Sequence, residues 1–164
     1  MPARLRVAGV GAGFFSDFQY DAWARMPGVE LAAVCDLDAE RAAAMAARHG
    51  AGASYTELGR MLDAVQPDLL DIAVPPAAHF DIIRIGAERG IGMICQKPFC
   101  ATLETARRAV KLCAEADTPL VVHENFRFQP WYRKIASMLD EGRLGEIYQA
   151  SFRLRPGDGQ GADA

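Results

Sequence analysis

Short apolar runs alternate with helical patterns along most of this chain, and that alternation is the feature that most constrains its fold. Strands are predicted at 5–10, 29–35, 53–55, 69–74, 91–95 and 120–123. Buried parallel strands read as continuous apolar runs, and helices connect them. The pattern therefore predicts an α/β fold, a doubly wound parallel sheet covered by helices on both faces.

Apolar stripes and capping residues indicate where the intervening helices begin and which face they bury. Asp38 and Thr102 are the expected N-caps of two helices. In the helix after Thr102, the residues Leu103, Ala106 and Val110 are predicted to face inward. The first helix has its apolar residues at Phe15, Phe18, Ala22 and Met26.

The pattern changes near the end of the chain. A helix is predicted from Pro130, where a first helical turn accepts proline. Strict alternation over 146–155 then predicts a half-buried antiparallel strand. The predicted organisation is a dinucleotide-binding domain over 1–125, a crossover helix and first strand of a second α+β domain over 126–155, and a mobile tail over 156–164.

Composition and charge exclude several classes of protein. The 164 residues are 51% hydrophobic and carry a net charge of -3 without a basic stripe, so nucleic acid and membrane surfaces are not expected as partners. Four cysteines form no C-x-x-C pair and three histidines are widely spaced, so no metal site is predicted. We expect free thiols and a reducing cytoplasm, because the first apolar run is too short for a signal peptide or a membrane span.

A glycine turn joins the first predicted strand to the first predicted helix. It reads Gly11-Ala12-Gly13-Phe14-Phe15-Ser16, with serine at the third small position. Glycines permit a tight turn and close approach of backbone to a pyrophosphate, whose charge suits a helix N-terminus. In a strand-turn-helix context this favours a Rossmann-type dinucleotide site over a plain tight turn.

Asp36 ends the second predicted strand at the spacing expected of a ribose ligand. A carboxylate there can accept the hydrogen bonds of both adenosine ribose hydroxyls. Asp38 follows closely and no arginine comes directly after, so repulsion of a 2′-phosphate favours NAD over NADP. The alternative is that Asp36 only caps the second helix.

Further polar residues follow the later predicted strands. Pro75-Pro76 precedes a helix predicted to begin at about His79, and Gln96-Lys97-Pro98 follows the fifth strand. Asn125-Phe126-Arg127-Phe128 follows the sixth. Ligands of open parallel sheets collect at the carboxyl ends of the strands, so Lys97 is expected in the crevice, although a loop lysine is more often only solvated.

These motifs together resemble the N-terminal half of the glucose–fructose oxidoreductase, inositol dehydrogenase and rhizopine-catabolism (Gfo/Idh/MocA) family, over residues 4–155. That family has a Glu-Lys-Pro motif with a lysine near the nicotinamide and the reacting carbinol. Lys97 matches the lysine and would be the catalytic residue, whereas Gln96 replaces the glutamate. The resemblance implies an NAD(P)-dependent oxidoreductase that transfers hydride between nicotinamide and a sugar-like or cyclitol-like hydroxyl carbon.

The motifs and the resemblance together predict a set of cofactor-binding residues. They are Gly11, Gly13, Phe14, Phe15, Asp36, Pro75, Pro76, His79, Gln96, Lys97 and Asn125. Asp71, within a buried strand, is expected to bond local backbone, and His123 and His49 are expected to be structural.

In the resembling family a second domain binds substrate and supplies an acidic residue and a histidine for proton transfer. No histidine follows His123, so the chain is interpreted as a truncated cofactor-binding half that is inactive alone. A polyol or sugar substrate is expected to bind only when a second domain is supplied. The unpaired strand predicted at 146–155 favours a homodimer through this segment, or else a frayed C-terminus. Two alternatives are a noncatalytic dinucleotide-binding or sensor module and a methyltransferase; Gln96-Lys97-Pro98 and the Asn125 motif speak against the second.

Overall fold

The computed structural model describes residues 4–153 and contains a six-stranded, wholly parallel sheet. The strands are β1 (Leu5–Val10), β2 (Val29–Cys35), β3 (Ala53–Tyr55), β4 (Leu69–Ile72), β5 (Gly92–Gln96) and β6 (Leu120–His123). Their order is β3-β2-β1-β4-β5-β6. This is the order of a doubly wound Rossmann-type sheet, so the predicted fold class is confirmed.

Six α-helices connect and follow the strands. They are α1 (Phe14–Arg25), α2 (Ala39–His49), α3 (Leu58–Val65), α4 (Pro76–Glu88), α5 (Leu103–Glu115) and α6 (Pro130–Asp140), with a short 3₁₀ helix at Phe126–Phe128. Asp38 caps α2 by accepting from the backbone of Glu40 and Arg41, and Thr102 caps α5 by accepting from the backbone of Thr105. Both predicted caps are confirmed.

The core lies on both faces of the sheet. On one face α3, α4 and α5 pack through residues such as Met61, Ile83 and Cys113. On the other face α1 and α2 pack through Tyr20 and Ala46. Since successive strand residues point to opposite faces, both sides of the central strands are buried, which explains their unbroken apolar sequence.

The predicted inward face of α5 is wrong at Leu103 and Val110, whereas Ala106 is half-buried. Leu103 and Val110 are 66% and 56% exposed, and the helix buries Ala109 and Cys113 instead. Small side chains at these positions let α5 pack closely against α4, which explains why they are buried in place of the larger apolar residues.

The apolar stripe of α1 also differs from its buried face. Phe18 and Met26 are exposed, whereas Ser16, Gln19 and Tyr20 are buried. Each of these side chains has at least one hydrogen-bond partner, although Gln19 Oε1 has none among the described residues. A hydrophobicity pattern does not show such partners.

Residues 4–124 and 125–153 fall into two compact units. The second contains the 3₁₀ helix and α6, which begins at Pro130 as predicted. Residues 146–153 form no strand, so that prediction is wrong for the described part. Alternation specifies a face, but a strand also needs a partner for its backbone hydrogen bonds, and no described residue pairs with this segment. A dimer through it stays a prediction, and the predicted tail at 156–164 lies outside the described residues.

Within residues 4–153 no helix is both long enough and apolar enough to cross a membrane.

Candidate functional site

The carboxyl ends of the parallel strands meet at one edge of the sheet, where the chain leaves β1 and β4 in different directions. β1 is central and pairs with β2 on one side and β4 on the other. Helices α1 and α4 follow these two neighbouring strands and cover opposite faces. This is the switch point at which doubly wound sheets form their ligand crevice.

Gly11 makes the turn out of β1 and cannot be replaced without strain. Its φ is +104°, and a Cβ there would lie 2.4 Å from the backbone oxygen of Ala73. Its N–H donates to the Cys35 carbonyl at 2.7 Å. The turn therefore brings backbone of β1 close against the segment after β4, which requires glycine.

The N-terminus of α1 is open. Gly13 is the N-cap, exposed, and no side chain caps the helix among the described residues. Apart from Gly13 and its two neighbours in the chain, no described residue has an atom within 4 Å of the position that a Gly13 Cβ would take. Phe14 is exposed and Phe15 is half-buried beside it. Unpaired amides and the positive end of the helix dipole thus face free space.

The Asp36 carboxylate joins the glycine turn to the start of α2. Its Oδ2 accepts from the Ala12 backbone N–H at 2.7 Å, and its Oδ1 accepts from the Asp38 N–H at 2.9 Å. Asp38 rather than Asp36 caps α2. Each Asp36 oxygen retains a second lone pair, so both stay available to hydroxyl donors.

Arg41 is a cation near Asp36 that the sequence argument missed. Its guanidinium Nη2 lies 4.0 Å from Asp36 Oδ1, and its Nε lies 3.0 Å from Asp38 Oδ2. The Arg41 backbone N–H donates to Asp38 and is the main cause of the lowered pKa of that carboxyl. A helical turn brings Arg41 back to the cap residue, a spacing that could have signalled it.

Tyr20 lies beneath the glycine turn and was also missed. It is fully buried, and its hydroxyl donates to the Gly11 carbonyl oxygen at 2.5 Å. Burial, reinforced by the charge of Asp71, raises the pKa of Tyr20 well above its usual value, so the hydroxyl stays a donor. Glycine in the interior of a strand often marks a close approach, and Gly9 was the available signal.

The His79 side chain contacts two backbone carbonyls, and its predicted contact with a ligand stays a prediction. Its side chain is fully buried, with Nδ1 2.8 Å from the Phe99 carbonyl oxygen and Nε2 2.8 Å from that of Val74. It therefore ties the segment before Pro75, which is exposed, to the loop after β5. α4 begins at Pro76, earlier than predicted, because proline suits a first helical turn.

Gln96 and Lys97 stand at the end of β5. The Gln96 side chain is buried, and its Oε1 accepts from the Lys97 backbone N–H at 2.7 Å. Gln96 Nε2 is buried without a hydrogen-bond partner among the described residues. The Lys97–Pro98 peptide is cis, and Lys97 is half-buried. Asn125 begins the second unit.

Asp71 corrects the expectation of local backbone bonding. Its Oδ1 accepts from Gln19 Nε2 at 2.7 Å and its Oδ2 accepts from Trp23 Nε1 at 2.6 Å, both on α1. Burial raises the pKa of Asp71 to about 6. Gln19 Nε2 also lies 3.0 Å from His123 Nδ1, and burial lowers the pKa of His123. His49, which ends α2, lies 2.7 Å from Asp17 Oδ1 and is structural.

Comparison with known families decides the identity of this crevice. Residues 5–124 match the Gfo/Idh/MocA oxidoreductase family, NAD-binding Rossmann fold. The chain belongs to this family. The Gfo/Idh/MocA match covers the whole sheet from β1 to β6, so the glycine turn and Asp36 lie in an NAD-binding Rossmann domain whose partner is a nicotinamide dinucleotide.

Individual relatives agree with the family match. The D-apiose dehydrogenase of Paraburkholderia graminis is 40% identical over 152 residues, which are 92% of this chain and 40% of that protein. The D-xylose 1-dehydrogenase [NADP(+)] of Haloarcula marismortui is 29% identical over 151 residues, 87% of this chain and 41% of that protein. The chain thus spans about two fifths of the length of these relatives.

The solved structure of an oxidoreductase supports the same fold. An oxidoreductase from Agrobacterium radiobacter, in complex with NAD+, L-tartaric acid and magnesium, superposes with a TM-score of 0.84 at 34% identity. The match covers 88% of this chain and 42% of that one.

The residues of this family member fit a dinucleotide. The uncapped start of α1 offers amides to a diphosphate, and Gly13 leaves the space that a side chain would fill. Asp36 keeps lone pairs for ribose hydroxyls, and the orphaned Gln96 Nε2 is a donor at the end of β5.

Proposed function

We propose that this chain binds NAD in preference to NADP, with the adenosine ribose on Asp36 and the diphosphate on the amides at the start of α1. The observation that carries this proposal is the open, uncapped N-terminus of α1 beside a carboxylate that already holds the turn. Helix N-termini attract anions, and a carboxylate suits vicinal hydroxyls.

The preference for NAD follows from the charges around Asp36. A 2′-phosphate would meet the carboxylates of Asp36 and Asp38. Arg41, the nearby cation, is paired with Asp38 at 3.0 Å, so its charge is already partly balanced. Because the relative from Haloarcula marismortui is named for NADP(+), the affinities of this chain for NADH and NADPH should be measured directly.

The proposed site has two parts. Gly11, Gly13, Phe14 and Phe15 with Asp36 would hold the adenosine and diphosphate half of the cofactor. Pro75, Pro76, Gln96 and Lys97 would hold the nicotinamide half, and the part predicted for Asn125 stays a prediction. His79 acts on this second group indirectly, since both ring nitrogens face backbone carbonyls of the adjoining loops.

We further propose that the reaction served by this domain is hydride transfer between nicotinamide and a sugar-like or cyclitol-like hydroxyl carbon. The bound dinucleotide supplies the hydride chemistry. Lys97 would be the catalytic residue, as a hydrogen-bond donor to the reacting oxygen, and Gln96 would fix its backbone through the 2.7 Å bond. The relatives named for D-apiose and D-xylose support a sugar as the substrate class.

Titration of the chain with NADH and NADPH tests the cofactor proposal. We expect saturable enhancement of NADH fluorescence and weaker binding of NADPH. Asp36→Ala should weaken NADH binding at least about tenfold, because hydrogen bonds to a charged acceptor are lost. The ratio of the NADPH and NADH dissociation constants should also become smaller in this variant.

The matched control is Asp21→Ala, which removes an equal charge from an exposed ion pair with Arg25 on α1. This variant should bind NADH like the wild type. Folded wild-type protein that shows no saturation with NADH would refute the proposal.

A further inference from the structure

Tyr20 and Gly9 fit each other across the interface between α1 and β1. The Tyr20 ring lies where a side chain at Gly9 would otherwise be, since a Cβ there would be 2.3 Å from the ring. The missing side chain lets the phenol reach under the end of β1. Its hydroxyl meets the carbonyl oxygen of Gly11, the first residue of the turn.

One peptide unit is held from both ends. The Gly11 carbonyl and the Ala12 N–H belong to the same peptide plane and point in opposite directions. Tyr20 on α1 donates to the carbonyl oxygen, and Asp36 after β2 accepts from the N–H at 2.7 Å. Two separate elements therefore fix the orientation of this plane.

The orientation matters because glycine leaves the plane free to rotate. Gly11 has a φ of +104° and no Cβ, so local sterics hold the peptide weakly. Rotation of the plane would turn the carbonyl oxygen toward the Asp36 carboxylate and break its bond to Ala12. The next amides of the chain, at Gly13 and Phe14, would lose their fixed direction at the start of α1.

We propose that Tyr20 is a positioning residue for dinucleotide binding: its hydroxyl holds the Gly11–Ala12 peptide in place so that the first amides of α1 face the diphosphate. The inference rests on the proposed function. Tyr20 itself touches no part of the ligand, because its side chain is fully buried.

Tyr20→Phe tests this proposal because it removes the hydroxyl and keeps the ring against Gly9. Competition against NADH gives the dissociation constants of ADP, which contains the diphosphate, and of adenosine, which does not. We expect ADP and NADH to bind about three- to tenfold more weakly, as for one lost hydrogen bond, and adenosine to bind unchanged. Tyr148→Phe, an exposed tyrosine in the second unit, is the control and should change neither.

Hydrogen exchange provides a readout that does not depend on ligand. The Ala12 amide should be protected in the wild type without ligand and should exchange faster in Tyr20→Phe, while amides in the β4 and β5 ladder stay protected. If the variant does not fold, the exchange rate of the wild-type Ala12 amide still tests the proposal. Rapid exchange of this amide in the wild type would mean that the Gly11–Ala12 peptide is not held in place, and would overturn the proposal.

The outcomes separate the inference from the function on which it rests. Tyr20→Phe that binds ADP like the wild type, or that loses ADP and adenosine equally, overturns the positioning role. Wild-type protein that binds neither NADH nor ADP overturns the proposed function instead.

Discussion

The Asp71 carboxylate is buried in the sheet with neutral donors around it. Trp23 and Gln19 each supply one hydrogen bond, and no cation is among the causes that set its pKa. Neutral donors offset the loss of water only in part, so the carboxylate remains costly to ionise. At neutral pH the ionised Asp71 therefore lowers the free energy of unfolding.

The contribution of Asp71 to the free energy of unfolding should therefore fall as the pH rises through the acid range. The pKa of Asp71 is about 6 in the folded chain against 3.8 for the unfolded reference, so the folded state binds more protons between these values. Its stabilising contribution is present below about pH 4 and is lost as the pH passes about 6. Between pH 4.5 and 7.5 we expect a loss of about 2 kcal/mol in the free energy of unfolding relative to Asp71→Asn.

Urea unfolding of the wild type and of Asp71→Asn at these two pH values measures that difference. Asp63→Asn, at an exposed carboxylate on α3, is the control and should show no comparable change with pH. Parallel pH profiles for the wild type and Asp71→Asn would show that Asp71 is not held protonated by burial.

At the scale of elements, the β1-turn-α1 unit contains two glycines with different tasks. Gly11 has a positive φ and no room for a Cβ, so it is required by the fold. Gly13 has an ordinary φ of -88° and open space around it, so the fold tolerates a side chain there. Its small size matters only if a ligand approaches the start of α1.

Alanine at each position separates these tasks. Gly11→Ala should lower the free energy of unfolding by at least about 2 kcal/mol, through strain and overlap with Ala73. Gly13→Ala should keep wild-type stability yet bind NADH at least about tenfold more weakly, because a methyl group then blocks close approach of the diphosphate. Thermal unfolding and NADH titration measure both; equal NADH affinity of Gly13→Ala and the wild type would contradict the assigned site.

At the scale of the whole molecule, the chain covers about two fifths of relatives that act as dehydrogenases. Of the residues assigned above to the crevice in 4–124, only Lys97 would contact the substrate, so the proposed site holds the cofactor and gives a sugar a single contact. Substrate positioning contributes large factors to catalysis, and so does a placed base.

We therefore expect the 164-residue chain to bind NADH without turning over a sugar. Incubation with NAD+ and D-apiose, followed by absorbance of the reduced nicotinamide, should show no increase above a sample without sugar. The contradicting result is steady formation of NADH by the wild type that is lost in Lys97→Met. It would show that the 164-residue chain already holds the substrate.

The local sequence by itself determined the elements and the place of the crevice. The apolar runs end in turn residues and correspond to strands, and Asp38 and Thr102 cap helices as predicted. The glycine turn and Asp36 follow the ends of β1 and β2. These are short-range properties, since strand propensity, capping and turn geometry depend on neighbours in the chain. Parallel strands then place every carboxyl end at one edge, so the position of the candidate site followed as well.

The tertiary structure alone decided which side chains are buried and what they bond. It buried the polar face of α1, set Tyr20 against Gly9, joined Asp71 to Gln19 and Trp23, enclosed His79 between two carbonyls and left 146–153 without a strand partner. Each of these outcomes needs groups that are distant in sequence to meet. A polar residue is stable inside when a partner arrives from another element, and a strand forms only when another strand pairs with it, so neither can be read from a local pattern.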